Sequence, residues 1–147
     1  MSIFNIRVYA LFINENNEVL VTHEFRFGKA ITKFPGGGLE WGEGTIDCLK
    51  RECREELGCE IKILKHFYTT DFFQLSAFHS EHQLVSIYYL VHNITPIQKN
   101  ISQLKNDVDK NEGSQSFRWI LISQLNPEEF TFPIDKKVAG MLYHIIK

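Results

Sequence analysis

The chain has 147 residues, 44% of them hydrophobic and 13% aromatic, which most simply makes one compact globular domain with a real core. Its net charge of −2 comes with no block of like charge, so neither a duplex-binding surface nor a membrane-surface patch is expected. A phosphate-bearing ligand would have to be met locally, by a few basic groups or by metal.

The apolar start, MSIFNIRVYALFI, is interrupted by Arg7 and is too short to span a bilayer. It also lacks the basic segment and small-residue cleavage site of a signal peptide. Residues 3–13 read as a strand buried on both sides, and the turn Asn14-Glu15-Asn16-Asn17 then leads into EVLVTHEF, so a hairpin is expected. Phe34-Pro35-Gly36-Gly37-Gly38 reads as a loop that brings backbone close to a ligand. Residues 45–57 read as a helix with Thr45 as N-cap, Asp47 in the first turn and Gly58 after the end. Its core-facing stripe is Ile46, Leu49, Cys53 and Leu57. Strands are expected at about 61–70, 83–93 and 116–122, with a long polar loop over 95–115. A closing helix starts at Ile134, with Val138, Met141, Leu142, Ile145 and Ile146 at helical spacing. Strands and helices in mixed order define an α/β or α+β domain. Cys48, Cys53 and Cys59 are odd in number with no C-x-x-C pair, which points to free thiols in a reducing compartment, the cytoplasm, and not to a zinc site.

The chemistry concentrates in Arg51-Glu52-Cys53-Arg54-Glu55-Glu56-Leu57-Gly58. Glu52, Glu55 and Glu56 fall within an arc of about 100° on one helix turn, beside the apolar stripe. Like charges so placed repel, and a hard divalent cation such as Mg²⁺ relieves the repulsion while also binding substrate phosphates. A solvated face with an Arg51–Glu55 ion pair is the plainer reading of this stretch taken alone.

From Gly37 the residues run Gly37, five positions, Glu43, seven positions, then Arg51-Glu52-Cys53-x-Glu55-Glu56-x-Gly58-Cys59. This resembles the signature box of the Nudix hydrolases, of MutT-like type, with every fixed residue present and cysteine at the two positions that normally carry bulky aliphatics. The resemblance implies a Nudix-type α/β/α sandwich with a mixed sheet over residues 1–147. It also implies Mg²⁺- or Mn²⁺-dependent hydrolysis of a nucleoside diphosphate linked to another group. Carried over by position, Glu52, Glu55 and Glu56 hold metal, the Gly37 carbonyl adds a ligand, Arg51 orients the carboxylates and Glu43 braces the loop. Which group takes the proton from water differs within the family, Glu52 and Glu55 being candidates.

Outside the box, Glu112 resembles the further metal contact or base of MutT-type members, with Asp107 and Asp109 as weaker competitors. Phe34 resembles a residue lining a nucleobase pocket, though packing of the core is the competing role. Asp135 falls near a base-reading residue, and is also an ordinary helix-start acid. His23 and Arg26 are placed to touch base or phosphate. The aromatic segment 71–82 is open to two uses, a lid or a homodimer contact, and its His79-x-x-His82 lacks a third metal ligand. The marks of ADP-ribose, dinucleoside-polyphosphate and NADH-type members are missing, which leans toward a nucleoside triphosphate over ADP-ribose or a nucleotide sugar. A nucleotide-sensing domain without catalysis is the alternative, although no box acid is lost.

Overall fold

The computed structural model describes residues 2–99, 101–102 and 110–146, so Asp107 and Asp109 lie outside the described residues. In chain order the elements are β1 (Ile3–Phe12), β2 (Glu18–Arg26), β3 (Lys29–Lys33), β4 (Gly36–Gly38), α1 (Thr45–Leu57), β5 (Ile61–Thr69), β6 (His82–Asn93), β7 (Gln115–Leu121) and α2 (Pro133–Ile146). Among the described residues two sheets and two helices make the mixed α/β class expected from the sequence. Contacts divide the chain into two compact units. One comprises residues 1–11 and 35–97, the other 12–34 and 98–147, so the chain passes between them after Leu11, Phe34 and Ile97.

The first unit holds a sheet in the order β4-β1-β6-β5. Val8 to Phe12 are buried whatever their alternation, as a strand covered on both faces requires, whereas Ile3 and Phe4 at its start are exposed. Phe34-Pro35-Gly36-Gly37-Gly38 is not the free loop expected. Its glycines form β4, paired antiparallel to β1 with Val8 opposite Gly37 and Tyr9 opposite Gly36. Gly36 has φ +147, and a Cβ there would run into the Val8 carbonyl, so the pairing needs glycine. Tyr9 stacks on Tyr88 of β6 at 5.2 Å.

The second unit holds a sheet in the order β3-β2-β7. The expected β1–β2 hairpin is therefore corrected. The Asn14–Asn17 turn forms, but only the single bridge Ile13–Val19 follows it, because β2 is paired along both edges by β3 and β7. The tight hairpin is instead β2–β3, a strand pair the sequence did not reveal. Its two-residue turn, Phe27-Gly28, has φ of 55° and 71°, the left-handed pair that matches strand twist. Phe34 and Phe130 stack at 4.6 Å, and Ile134, Val138, Ala139 and Leu142 bury one stripe of α2. Ile145 stays exposed, outside the stripe assigned to it. Among the described residues no helix is long and apolar enough to cross a membrane.

Candidate active site

Helix α1 begins and ends on glycines. Gly44, not Thr45, is the N-cap: it is extended at φ −78 and ψ 168, and the Asp47 carboxylate accepts its N–H at 3.4 Å. Thr45 is the first helical residue, and its hydroxyl meets the Tyr89 hydroxyl at 2.6 Å. At the other end Gly58, left-handed at φ 62, donates its N–H to the Arg54 carbonyl. The buried stripe is Cys48, Leu49, Cys53 and Leu57; Ile46 is displaced from it and lies exposed. With that stripe packed on β4 and β5, the arc carrying Arg51, Glu52, Glu55 and Glu56 borders the core.

Arg51 is the hub of this arc. Its Nε donates to Glu43 Oε2 at 2.7 Å and its Nη2 to Glu43 Oε1 at 2.8 Å, a planar two-point clasp. Nη2 also donates to the Gly38 carbonyl at 3.0 Å, and Nη1 to Glu52 at 3.0 Å and Glu55 at 3.2 Å. Glu40 lies a further 3.7 Å from Nη1. The Arg51 fork, followed by the Glu40 amide, holds the Glu43 carboxyl down at about 2. The Glu43 hydrogen bond in turn pushes the Arg51 guanidinium above its ordinary value. The surface pair Arg51–Glu55 thus exists, but as one spoke of a partly buried network. Arg54 turns away to Glu60.

Gly37 explains the position of Glu52. A Cβ at residue 37 would stand 2.5 Å from the Glu52 carboxyl carbon, so the carboxylate occupies the space that a side chain would fill. Glu52 is 13% exposed and Glu55 58%, so the first is fixed and the second can swing. Glu56 is part-buried on the same arc. Among the described residues no three acidic, histidine or cysteine side chains already converge on a point, because Arg51 draws the carboxylates to itself. The donor set nevertheless fits Mg²⁺ or Mn²⁺: hard carboxylate oxygens on one rigid turn, seated against a backbone kept bare by Gly37. The three cysteines are free and buried and offer no ligand there. Burial, with the Glu43 carboxylate next, pushes the Cys48 thiol up to about 12, and burial likewise raises Cys53 and Cys59.

The remaining candidates belong to the second unit. Phe34 is fully buried and stacks on Phe130, the packing arrangement weighed for it in the sequence. His23 is buried on β2, with Nδ1 3.0 Å from the Thr32 hydroxyl. Arg26 is exposed and lies 3.9 Å from Glu24. Glu112 accepts the Phe27 N–H at 2.7 Å and so braces the β2–β3 turn. Asp135 is buried in the first turn of α2, as a helix-start acid would be.

Two features had weaker signals in the sequence. Glu40, whose N–H donates to Glu43 at 2.9 Å, ties the glycine-rich turn to the clasp. Lys33 and Glu24, both nearly buried, face each other at 3.8 Å in the second sheet. The only hint of that pair was a lysine inside the otherwise uncharged run Ala30 to Gly38.

Residues 4–139 match the family model of the NUDIX domain, and the chain belongs to the Nudix family, hydrolases that act on phosphorus-containing anhydrides. It is similar to Nudix hydrolase 2 of Arabidopsis thaliana, 32% identical over 120 residues, which are 78% of this chain and 39% of that protein. The chain thus spans about two fifths of that relative's length. Among solved structures, a NUDIX hydrolase from Nitrosomonas europaea superposes with a TM-score of 0.71 at 17% identity, covering 95% of this chain and 88% of the other. A MutT protein from Methanosarcina mazei Go1 gives 0.70 at 18% identity, over 97% and 95%. At such identities these structures establish the Nudix fold.

Proposed function

We propose that the chain is a Mg²⁺-dependent pyrophosphohydrolase, with Mn²⁺ able to substitute, acting on a nucleoside diphosphate linked to another group. A nucleoside triphosphate is favoured over ADP-ribose or a nucleotide sugar. The observation that carries this reading is the seating of Glu52 on the bare Gly37 backbone beside the Arg51–Glu43 clasp. The family match runs from residue 4 to residue 139, through both units, which supports a single catalytic domain over the chain.

Glu52, Glu55 and Glu56 would hold the divalent ion, with the Gly37 carbonyl as a further donor. When bound, that ion supplies neutralisation of the pyrophosphate oxygens and a lower pKa for the attacking water. Glu52 keeps a fixed carboxylate at the glycine strand. Glu55, the more exposed acid, is the candidate to accept a proton from water once its bond to Arg51 opens. Arg51 is a positioning residue: it sets the rotamers of Glu52 and Glu55 and keeps its charge off the phosphates by closing on Glu43. Glu112, which holds the β2–β3 turn through the Phe27 N–H, is kept as the candidate for a further metal contact or base.

The test is incubation with Mg²⁺ and a panel of nucleoside triphosphates, ADP-ribose, diadenosine polyphosphates and nucleotide sugars, reading orthophosphate and pyrophosphate release. Turnover of one class is expected, and Glu56→Gln should lower it by orders of magnitude with the far-UV spectrum intact. Near-normal rates in that variant would sink the metal assignment. Tight nucleotide binding with no turnover on the whole panel would instead make the chain a sensor.

A further inference from the structure

The first unit carries a groove of about 600 Å³ on the outer side of the turn that follows β4. Its floor is the start of β1, Ile3 to Ile6; one wall is the turn Leu39 to Glu43, and the other is formed by His79 and His82. The walls are fastened to the floor by backbone bonds, Leu39 N–H to the Ile6 carbonyl and Ile3 N–H to the Glu81 carbonyl, both at 2.9 Å.

Trp41 stands on this groove with its side chain wholly exposed, and Phe4 beside it is 70% exposed. Tryptophan is highly buried in most folds, because its ring carries a large apolar area. Here the ring is not on a loose loop. Glu43 N–H donates to the Glu40 carbonyl at 3.2 Å, and Gly42 has φ +94, the geometry of a tight turn whose third position requires glycine. Glu43 Oε1 then accepts both the Glu40 N–H and Arg51 Nη2. The clasp that positions the catalytic acids therefore also fixes the turn that presents Trp41.

The other lining groups define what the groove accepts. Among the described residues no lysine or arginine lines it, and Glu40 and Glu43 do, a lining unsuited to phosphate. Glu40 is 67% exposed and offers carboxylate oxygens, and Asn5 offers both a donor and an acceptor. An aromatic platform flanked by an amide and a carboxylate suits a planar heterocycle with an exocyclic amino group. The volume is that of a small-molecule site.

We infer that, given the pyrophosphohydrolase reading above, this groove is the substrate's base subsite, taking adenine, cytosine or guanine on Trp41. Glu40 and Asn5 read the amino edge. The groove is tied to the acidic turn through Glu43, which lines it and holds Arg51, the partner of Glu52 and Glu55.

The test measures binding without catalysis. In chelator, titrate AMP, UMP and ribose 5-phosphate into the full chain, following tryptophan fluorescence and heat. AMP should bind tightest and quench Trp41. Trp41→Ala should weaken AMP by about tenfold or more, as loss of base stacking does, and leave ribose 5-phosphate unchanged. Trp41→Phe should restore part of the loss, and Glu40→Gln should narrow the gap between AMP and UMP. Equal binding of AMP and ribose 5-phosphate, or an AMP affinity indifferent to Trp41→Ala, overturns the subsite. So does a shift from dimer to monomer by sedimentation in Trp41→Ala, which would make the ring a contact between copies. Base binding that depends on Trp41 in a protein that hydrolyses nothing would keep the subsite and remove the catalytic reading.

Discussion

The two units each hold a cluster of opposite charges, and the clusters are built differently. In the first, a single guanidinium faces four carboxylates, Glu40, Glu43, Glu52 and Glu55, a local excess of three negative charges. In the second, the single carboxylate of Glu24 has Lys33 and Arg26 near it and accepts Gln115 Nε2 at 3.2 Å. A charge group that only stabilises a fold can be closed locally, and the second cluster is closed. The first is left short of positive charge at a place where the backbone is stripped to glycine. That shortage is what the cation site proposed for this turn would need.

The comparison breaks most sharply at Gly37. Gly37→Ala should cut turnover by about 100-fold, the cost of displacing a positioned group by about an ångström, while Tm hardly moves. Gly36→Ala, one residue earlier, should instead lower Tm, because its Cβ meets the Val8 backbone. Parallel kcat and melting measurements would separate them, and a Gly37→Ala enzyme with normal turnover would deny Glu52 its role. In the other unit Lys33→Met should destabilise by about 1–3 kcal/mol in urea, since Glu24 stays buried with only Arg26 and Gln115 beside it. The pair Lys33→Met with Glu24→Leu should recover most of that loss, as expected of a group serving only the fold.

A smaller effect comes from pH. Because the folded Glu43 carboxyl is held at about 2, below its ordinary 4.5, its contribution is complete above pH 4.5 and fades as pH falls toward 2. Glu43→Gln should be less stable at neutral pH, and the difference from the parent should close across that window in acid unfolding curves. Smallest of all, Cys48, Cys53 and Cys59 should resist iodoacetamide at pH 8 in the folded chain and react once urea is added. Rapid labelling of the native protein would show the helix to be open.

Local chemistry made much of this legible. The limits of α1, the strands β5 to β7 and the start of α2 follow from glycine caps and periodicity that act within a few residues. The carboxylate arc followed from helical spacing and a bracing role for Glu43 from the resemblance of the Gly37–Cys59 run, whereas its clasp on Arg51 did not show in the sequence. Pairing did not. The sequence of β4 reads as loop because three glycines have no β propensity, and only β1 beside it makes it a strand. The sheet change after Phe12 was hidden because a tight turn signals a hairpin whether or not its strands stay paired. Cys48 took the place of Ile46 in the buried stripe because α1 packs with its Cys48 side on β4, where the thiol reaches the Gly38 carbonyl at 3.5 Å. The Trp41 groove draws on residues from the start of β1, the turn after β4 and the segment before β6, a proximity no window of sequence contains.

The three passages of the chain between units have a consequence for inheritance. Neither unit is a continuous stretch, since the first is made of residues 1–11 and 35–97 and the second of the rest. No single cut in the gene releases either one whole, and no simple fusion could transplant the carboxylate turn without the strand that pairs with its glycines. Substitutions and changes of loop length leave both units whole, so they are the alterations that such an interleaved chain takes most easily.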